Sequence, residues 1–191
     1  MKKAYIGVDP GKAGFITLFV GGEYTFYAMP QHKVETGEFL KSGKPQMKTV
    51  FHEEGLKTLI YTIKDQIKGC ELHACIEEVV GRQGWSAQNN FNFGRVAGLQ
   101  KMVLIILNAK IEMVRPQKWQ SVMYEGYAKI MKPSSTGKTM VHDTKATSAI
   151  VAQSIAPDIN FCKTERSKKF DDNKTDSFLL CKYIEKKIEK I

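Results

Sequence analysis

Asp9 is followed at once by Pro10 and Gly11, so the chain turns away and leaves this carboxylate at the tip of an apolar run. Glu77 and Glu78 close a second such run, LHACI, where side-chain alternation lets only one of them share a given face of a strand. Near the C-terminus Asp172 and Asp176 are four residues apart, which on a helix or its leading turn puts both carboxylates on one side. Each site also has a plain reading of its own: an acid that starts a turn, a pair of solvated strand-end charges, a capping acid beside a surface acid. Together they argue for more, because each lies where an element begins or ends and all could feed one acidic pocket. Like-charged carboxylates gathered at neutral pH repel strongly unless a cation compensates them. Hard oxygen donors of this kind suit Mg2+ or Mn2+. Two such ions about 3.5–4 Å apart can activate water and stabilise the leaving oxygen in phosphodiester hydrolysis.

The rest of the chain is basic. Lys and Arg number 29 against 20 Asp and Glu, a formal charge of +9 with a pI near 9.3. That range suits a polyanionic partner, nucleic acid ahead of a membrane surface, although charge alone is met equally well by solvated lysines. An acidic pocket in a basic body points to a nuclease. Arg82, Arg95, Lys118, Lys138 and Lys145 are the cations best placed to meet phosphate. The GKT at 137–139 invites a phosphate-loop reading, which fails: Lys132 stands where the motif needs its first glycine, and no strand feeds the loop.

The elements that must position these groups follow from pattern. Residues 4–9, 14–20 and 23–28 are short apolar and aromatic runs separated by PGKA and GG, which predicts a three-stranded antiparallel meander. Residues 31–50 are polar and lysine-rich and read as a mobile surface excursion. Leu56, Leu59, Ile60, Ile63 and Ile67 recur at helical spacing, so an amphipathic helix is expected over 52–68. The run from 72 predicts a buried strand, and GRQGWSAQNN a loop. From about 92 to 108 the pattern is helical and apolar on most sides, which calls for burial by the sheet or by another subunit, with Gly94, Ala97 and Gly98 allowing a partner helix to approach. IEMV from 111 reads as a strand, and Pro116 fits the first turn of a helix running through Trp119, a tryptophan expected in the core. Residues 131–142 read as a flexible basic loop. Asp143 can cap the next helix, and a last helix runs from near Thr175 to the C-terminus. Strands leading into helices after a meander imply an α/β fold with a mixed sheet. The length fits one domain over 1–191. Four cysteines without a C-x-x-C pair suit a reducing cytosol, and no apolar stretch approaches a membrane span, so a soluble, unprocessed cytoplasmic protein is expected.

The segments YIGVDPGKAG, CIEEVVGRQGWSAQNNFNFGRVAG, VRPQKWQ and FDDNKTDSFLLCKYI, in this order, resemble the signature blocks of RuvC-like Holliday junction resolvases, especially the bacteriophage-type branch. They span nearly the whole chain. The resemblance implies a ribonuclease H-like mixed sheet with helices packed on both faces, a homodimer, two bound Mg2+ ions and paired nicks across a four-way junction, in recombination, repair or phage genome processing in a bacterial or phage-infected cell. It matches Asp9 to the first-strand aspartate, Glu77 to the glutamate ending the fourth strand, and Asp172 with Asp176 to the C-terminal acidic pair. Asp171 or Asn173 stays open as the holder of the position given to Asp172. The family also places an aromatic residue in the loop after the glutamate. Val80 stands nearest that register, and Trp85 either stacks there on an exposed base or covers the core. Two other functions fit parts of the pattern: a non-catalytic junction-binding protein of the same fold, whose mark would be a lost acid, and a phosphotransferase or ATPase of actin-like architecture, which needs a much longer chain.

Overall fold

The computed structural model describes residues 2–164 and 166–190. Its first three strands, β1 (Lys2–Asp9), β2 (Phe15–Val20) and β3 (Glu23–Ala28), form the expected antiparallel meander. Gly21 and Gly22 make the β2–β3 turn with φ of 63° and 91°, a backbone that side chains resist. The next segment differs from its sequence reading as an excursion. It is a ribbon of two antiparallel strands, β4 (Gln31–Phe39) and β5 (Pro45–Phe51), paired only with each other. Nearly all of it is exposed, so it lacks the buried face whose alternation would have marked it as strand.

Helix α1 (Gly55–Gln66) buries Leu56, Leu59 and Ile63 and leads into β6 (Cys70–Glu77), which runs parallel to β1. Helix α2 (Ala87–Ile106) starts earlier than the apolar pattern suggests, because its first turn is polar; the Ser86 hydroxyl caps it, accepting from the Asn89 N–H at 3.2 Å. Strand β7 (Lys110–Val114) joins β6 in parallel, and α3 (Pro116–Met123) follows with proline in its first turn. Residues 131–142 hold a second ribbon, β8 (Met131–Pro133) with β9 (Met140–His142), in place of the flexible loop. Helix α4 (Thr144–Ile155) is capped by Asp143, and α5 (Asp172–Glu189) by Asp171; Ile191 lies outside the described residues.

The main sheet is mixed, in the order β3-β2-β1-β6-β7, and with its helices makes an α/β fold. Two hydrophobic clusters divide the strand residues by parity. Ala4, Ile6, Val8, Leu72, Ala74 and Ile76 pack with α1 and α2. Tyr5 and Cys75, pointing the other way, pack with Trp119 of α3, Val151 of α4 and the run Phe178–Cys181 of α5. Gly7 shares that second parity, and a Cβ there would run into the backbone of Ser177 and Cys181. Its bare Cα lets α5 lie directly on β1, which brings the first turns of α5 to the strand end that carries Asp9. Among the described residues no helix is long and apolar enough to cross a membrane.

Candidate active site

Val8 pairs with Ile76 in the parallel β1–β6 register, so Asp9 and Glu77 leave the sheet side by side with the parity that faces α5. Asp176, on the second turn of α5, completes the group. Asp9 is half-buried, and its pKa is pushed well above the ordinary range by burial first, then by the charges of Asp176 and Glu77. Asp176 is raised to about 7, mainly by burial and further by Glu77 and Asp172, while the Ser148 hydroxyl beside it pulls the other way. Its Oδ1 is buried with no hydrogen-bond partner. Glu77 is raised by burial as well, opposed by a hydrogen bond from Trp119, whose Nε1–H donates to Oε2 at 2.9 Å. Burial thus raises all three acids, and the neighbouring carboxylates add to the rise for Asp9 and Asp176.

The nearby cations, Arg82 and Lys145, offset this only in part, and the acids stay raised. Among the described residues no three His, Cys, Asp or Glu side chains close into a ready-made metal cage. Mg2+ does not ask for one, since it keeps several waters and takes one or two carboxylates together with substrate phosphate oxygens. Hard oxygen donors, mutual repulsion and a buried unpartnered Oδ1 therefore fit a divalent cation.

Asp172 stands at the rim. It acts electrostatically on Asp176, and its own Oδ2 is held by Lys145 Nζ at 2.7 Å. Asp171 spends one carboxylate oxygen on capping α5, accepting from Asn173 and Lys174 N–H groups at 3.1 and 3.4 Å. The Asn173 amide is turned away to donate to Ala13 O at 2.9 Å. Of the three residues open for the fourth position, Asp172 is the one the structure places on the pocket. Glu78, one residue past the strand, pairs instead with Arg115 at 3.1 Å.

The residues expected to meet phosphate are spread more widely. Arg82 is beside the acids and counteracts the rise in both Asp9 and Glu77. Its guanidinium rests against two adjacent rings, 4.7 Å from the centre of Trp85 and 4.9 Å from that of Phe93, and Asn90 pins its backbone at N and O. Trp85 is 43% exposed and belongs to neither core cluster, so covering the core is not its role. Arg95 pairs with Glu53 at 3.4 Å, Lys118 approaches Glu112 at 3.9 Å, and Lys138 sits in the β8–β9 turn, exposed. Lys145, expected among the phosphate contacts, also has acids beside it: Asp172 is the nearest, and Asp176 and Asp9 act on it as well.

Three positioning groups escaped the sequence reading. Gln100, fully buried on α2, accepts from Gly11 N–H at 3.0 Å and donates to Gly11 O at 3.1 Å, clamping the turn behind Asp9. Its only sequence signal is one polar residue inside an apolar helix. Tyr124 and Ser148 share a hydrogen bond of 2.6 Å behind Asp176 and had no such signal. Trp119 is in the core as expected, with the added bond to Glu77. Ala97, by contrast, is buried against this chain's own core and is not available to a partner helix, whereas Gly94 and Gly98 face open space.

No family model matches the chain, and no curated protein matches it in sequence. Among solved structures it is similar to Thermus thermophilus RuvC in complex with a Holliday junction substrate, with a TM-score of 0.51 and 8% identity over 95% of this chain and 91% of that one. Thermus thermophilus RuvC in a second structure gives 0.47 and 11%, over 94% and 92%. The first of these shows a RuvC-like fold for this chain.

Proposed function

We propose that this protein is a metal-dependent, structure-selective endodeoxyribonuclease of the bacteriophage-type RuvC-like branch, cutting four-way junctions and related branched DNA. It would do so on a ribonuclease H-like sheet with helices on both faces. The observation that carries the reading is the meeting of Asp9, Glu77 and Asp176 at the ends of β1 and β6 and the start of α5, in a fold shared with a protein solved on a Holliday junction.

In this reading Asp9, Glu77, Asp176 and, from the rim, Asp172 hold two Mg2+ ions per site, with Mn2+ able to substitute. Such ions, when bound, supply an activated water and neutralise charge at the scissile phosphate. The chain's own groups set the stage. Trp119 orients Glu77, Gln100 fixes the turn that aims Asp9, and Lys145 holds Asp172. Arg82, stiffened by two aromatic rings, is positioned to meet the phosphate next to the acids, and Trp85 offers a face for an unpaired base. Arg95, Lys118 and Lys138 supply phosphate contacts farther out.

A homodimer completes the proposal, because paired nicks need two sites. Phe91, Met102, Ile105 and Ile106 are exposed on α2, together with Gly94 and Gly98. The deciding experiment incubates the purified protein with a labelled four-way junction and with linear duplex of matched sequence, with and without Mg2+. Symmetric nicking of the junction only with Mg2+ is the expected result. Tight junction binding with no cleavage under any metal would leave a junction-binding protein, and indifference between the two DNAs would end the resolvase reading.

A further inference from the structure

Beyond Phe51 at its base, which is buried in the core, the β4–β5 ribbon packs little against the rest of the chain. Its strands are nine and seven residues long, roughly 23–30 Å at the usual rise, and they pack mainly on each other. Two-stranded ribbons standing alone are marginal in water. At the tip, Phe39 and Leu40 are 71% and 50% exposed, and Lys41 and Lys44 follow them. Along the ribbon and its turn there are four lysines against two glutamates.

Its base forms one wall of a groove of about 800 Å³, whose other walls are the Pro10–Gly14 turn and α2. Lys12, Lys48, Arg82 and Arg95 line this groove with no acid among its lining residues, and Trp85 and Phe93 lie at its side. Lys12 Nζ donates to Thr49 O at 2.9 Å, tying the ribbon to the turn that directly follows Asp9. The groove therefore adjoins the acids at that turn, and Arg82, which lines the groove, also acts on Asp9 and Glu77.

We infer that the β4–β5 ribbon and the groove at its base form a docking arm for one duplex arm of the branched DNA, with lysines 41, 44 and 48 on its phosphates. This deepens the proposed function and rests on it for the identity of the substrate. Charge decides between DNA and a second copy of the chain, since two equally basic ribbons repel one another whereas a phosphate backbone attracts both. The width agrees, because a two-stranded ribbon is a shape that the major groove of a duplex admits.

The test compares wild type with a Lys41→Gln/Lys44→Gln/Lys48→Gln variant in EDTA, so that nothing is cut. Junction and linear-duplex affinities are measured at several salt concentrations, with circular dichroism and a melting curve as the check on folding. The arm predicts junction binding weaker by roughly tenfold or more, and a salt dependence less steep by about 0.9 log units for each phosphate that the variant leaves without a lysine. A second measurement needs no variant: acetylation of these three lysines in the native protein, followed by mass spectrometry, slows when junction is added. Unchanged affinity and salt slope, or equal acetylation with and without DNA, overturns the inference, as does a variant whose oligomeric mass differs from wild type. Failure of the proposed function shows separately, in a wild type that does not prefer junction over linear duplex.

Discussion

The indole Nε1–H of Trp119 donates to Glu77 Oε2 at 2.9 Å, so a fully buried side chain of α3 sets the direction of the carboxylate at the end of β6. Trp119→Phe keeps most of the ring in the core and removes only the donor. The loss of a hydrogen bond to a carboxylate costs about 1.5–3 kcal/mol, and groups that orient metal ligands typically govern about 10- to 100-fold in metal affinity or activity. The expected outcome is a Mg2+ requirement shifted upward by about that factor, with junction binding in EDTA unchanged. A nicking curve against Mg2+ that superimposes on wild type would show that the bond serves only the fold.

Asp9, Glu77 and Asp176 all have pKa values above their ordinary range, from burial and then from one another in the case of Asp9. A folded-state pKa above the unfolded value contributes stability that is fully present below the unfolded carboxylate range and is lost as pH rises through the folded value. For Asp176 that loss begins in the ordinary carboxylate range and is complete near pH 7. In EDTA the melting temperature is therefore expected to fall between about pH 4 and pH 8. Added Mg2+ should raise it strongly at pH 8 and little at pH 5, since protonated acids do not hold metal. Asp9→Asn removes one of the repelling charges. It should melt higher than wild type at pH 8 in EDTA, respond less to Mg2+, bind junction normally and fail to cut it. A Mg2+-induced shift equal to that of wild type would remove Asp9 from the ligand set.

Much of this arrangement could be read before any coordinates, because it depends on local features. Asp9 precedes a Pro-Gly turn, Glu77 ends an apolar run, and the acids at 172 and 176 stand at a helix start; each marks its own element end. What escaped depends on distant partners. The ion pair of Lys145 with Asp172, far along the chain, has no signal in the sequence. Gln100 reads as an odd polar residue until the Gly11 peptide is found in its grip. The two ribbons escaped for another reason, since exposed strands carry no buried face and so no period-two signal. Strand alternation, on the other hand, already sets Glu77 and Glu78 on different faces, and the resemblance selects Glu77 as the one in the site.

That parity carries its own test. Glu77 shares the face of Asp9 and touches Trp119, while Glu78 lies past the strand end and pairs with Arg115 on an exposed surface. Glu77→Gln is expected to abolish nicking, and Glu78→Gln to retain it within a fewfold, since exposed ion pairs are worth about 0–1 kcal/mol. Single-turnover nicking of a labelled junction by the two variants decides the matter. An active Glu77→Gln enzyme beside a dead Glu78→Gln enzyme would reverse the assignment.

The exposed stripe on α2 yields the last prediction. Phe91 is 65% exposed, Met102 48% and Ile105 46%, and Gly98 between them offers room for a close approach. Apolar side chains in such a row are unfavourable in water unless a partner covers them. A second copy does so with its own stripe if the two helices cross about a two-fold axis, and that symmetry sets two acid pockets on one assembly. Only a branched substrate then offers a phosphate to each pocket at once, so the second contact gains from effective concentration. Met102→Glu/Ile105→Glu places four charges in the dimer contact, two from each subunit. The expected outcome is a monomer by light scattering at micromolar concentration, with the melting curve still cooperative. On a four-way junction this monomer should make single, uncoupled nicks and lose most of its preference over linear duplex. A variant that keeps the wild-type mass would place the subunit contact elsewhere, and a monomeric wild type that still nicks both strands in concert would remove the need for a dimer.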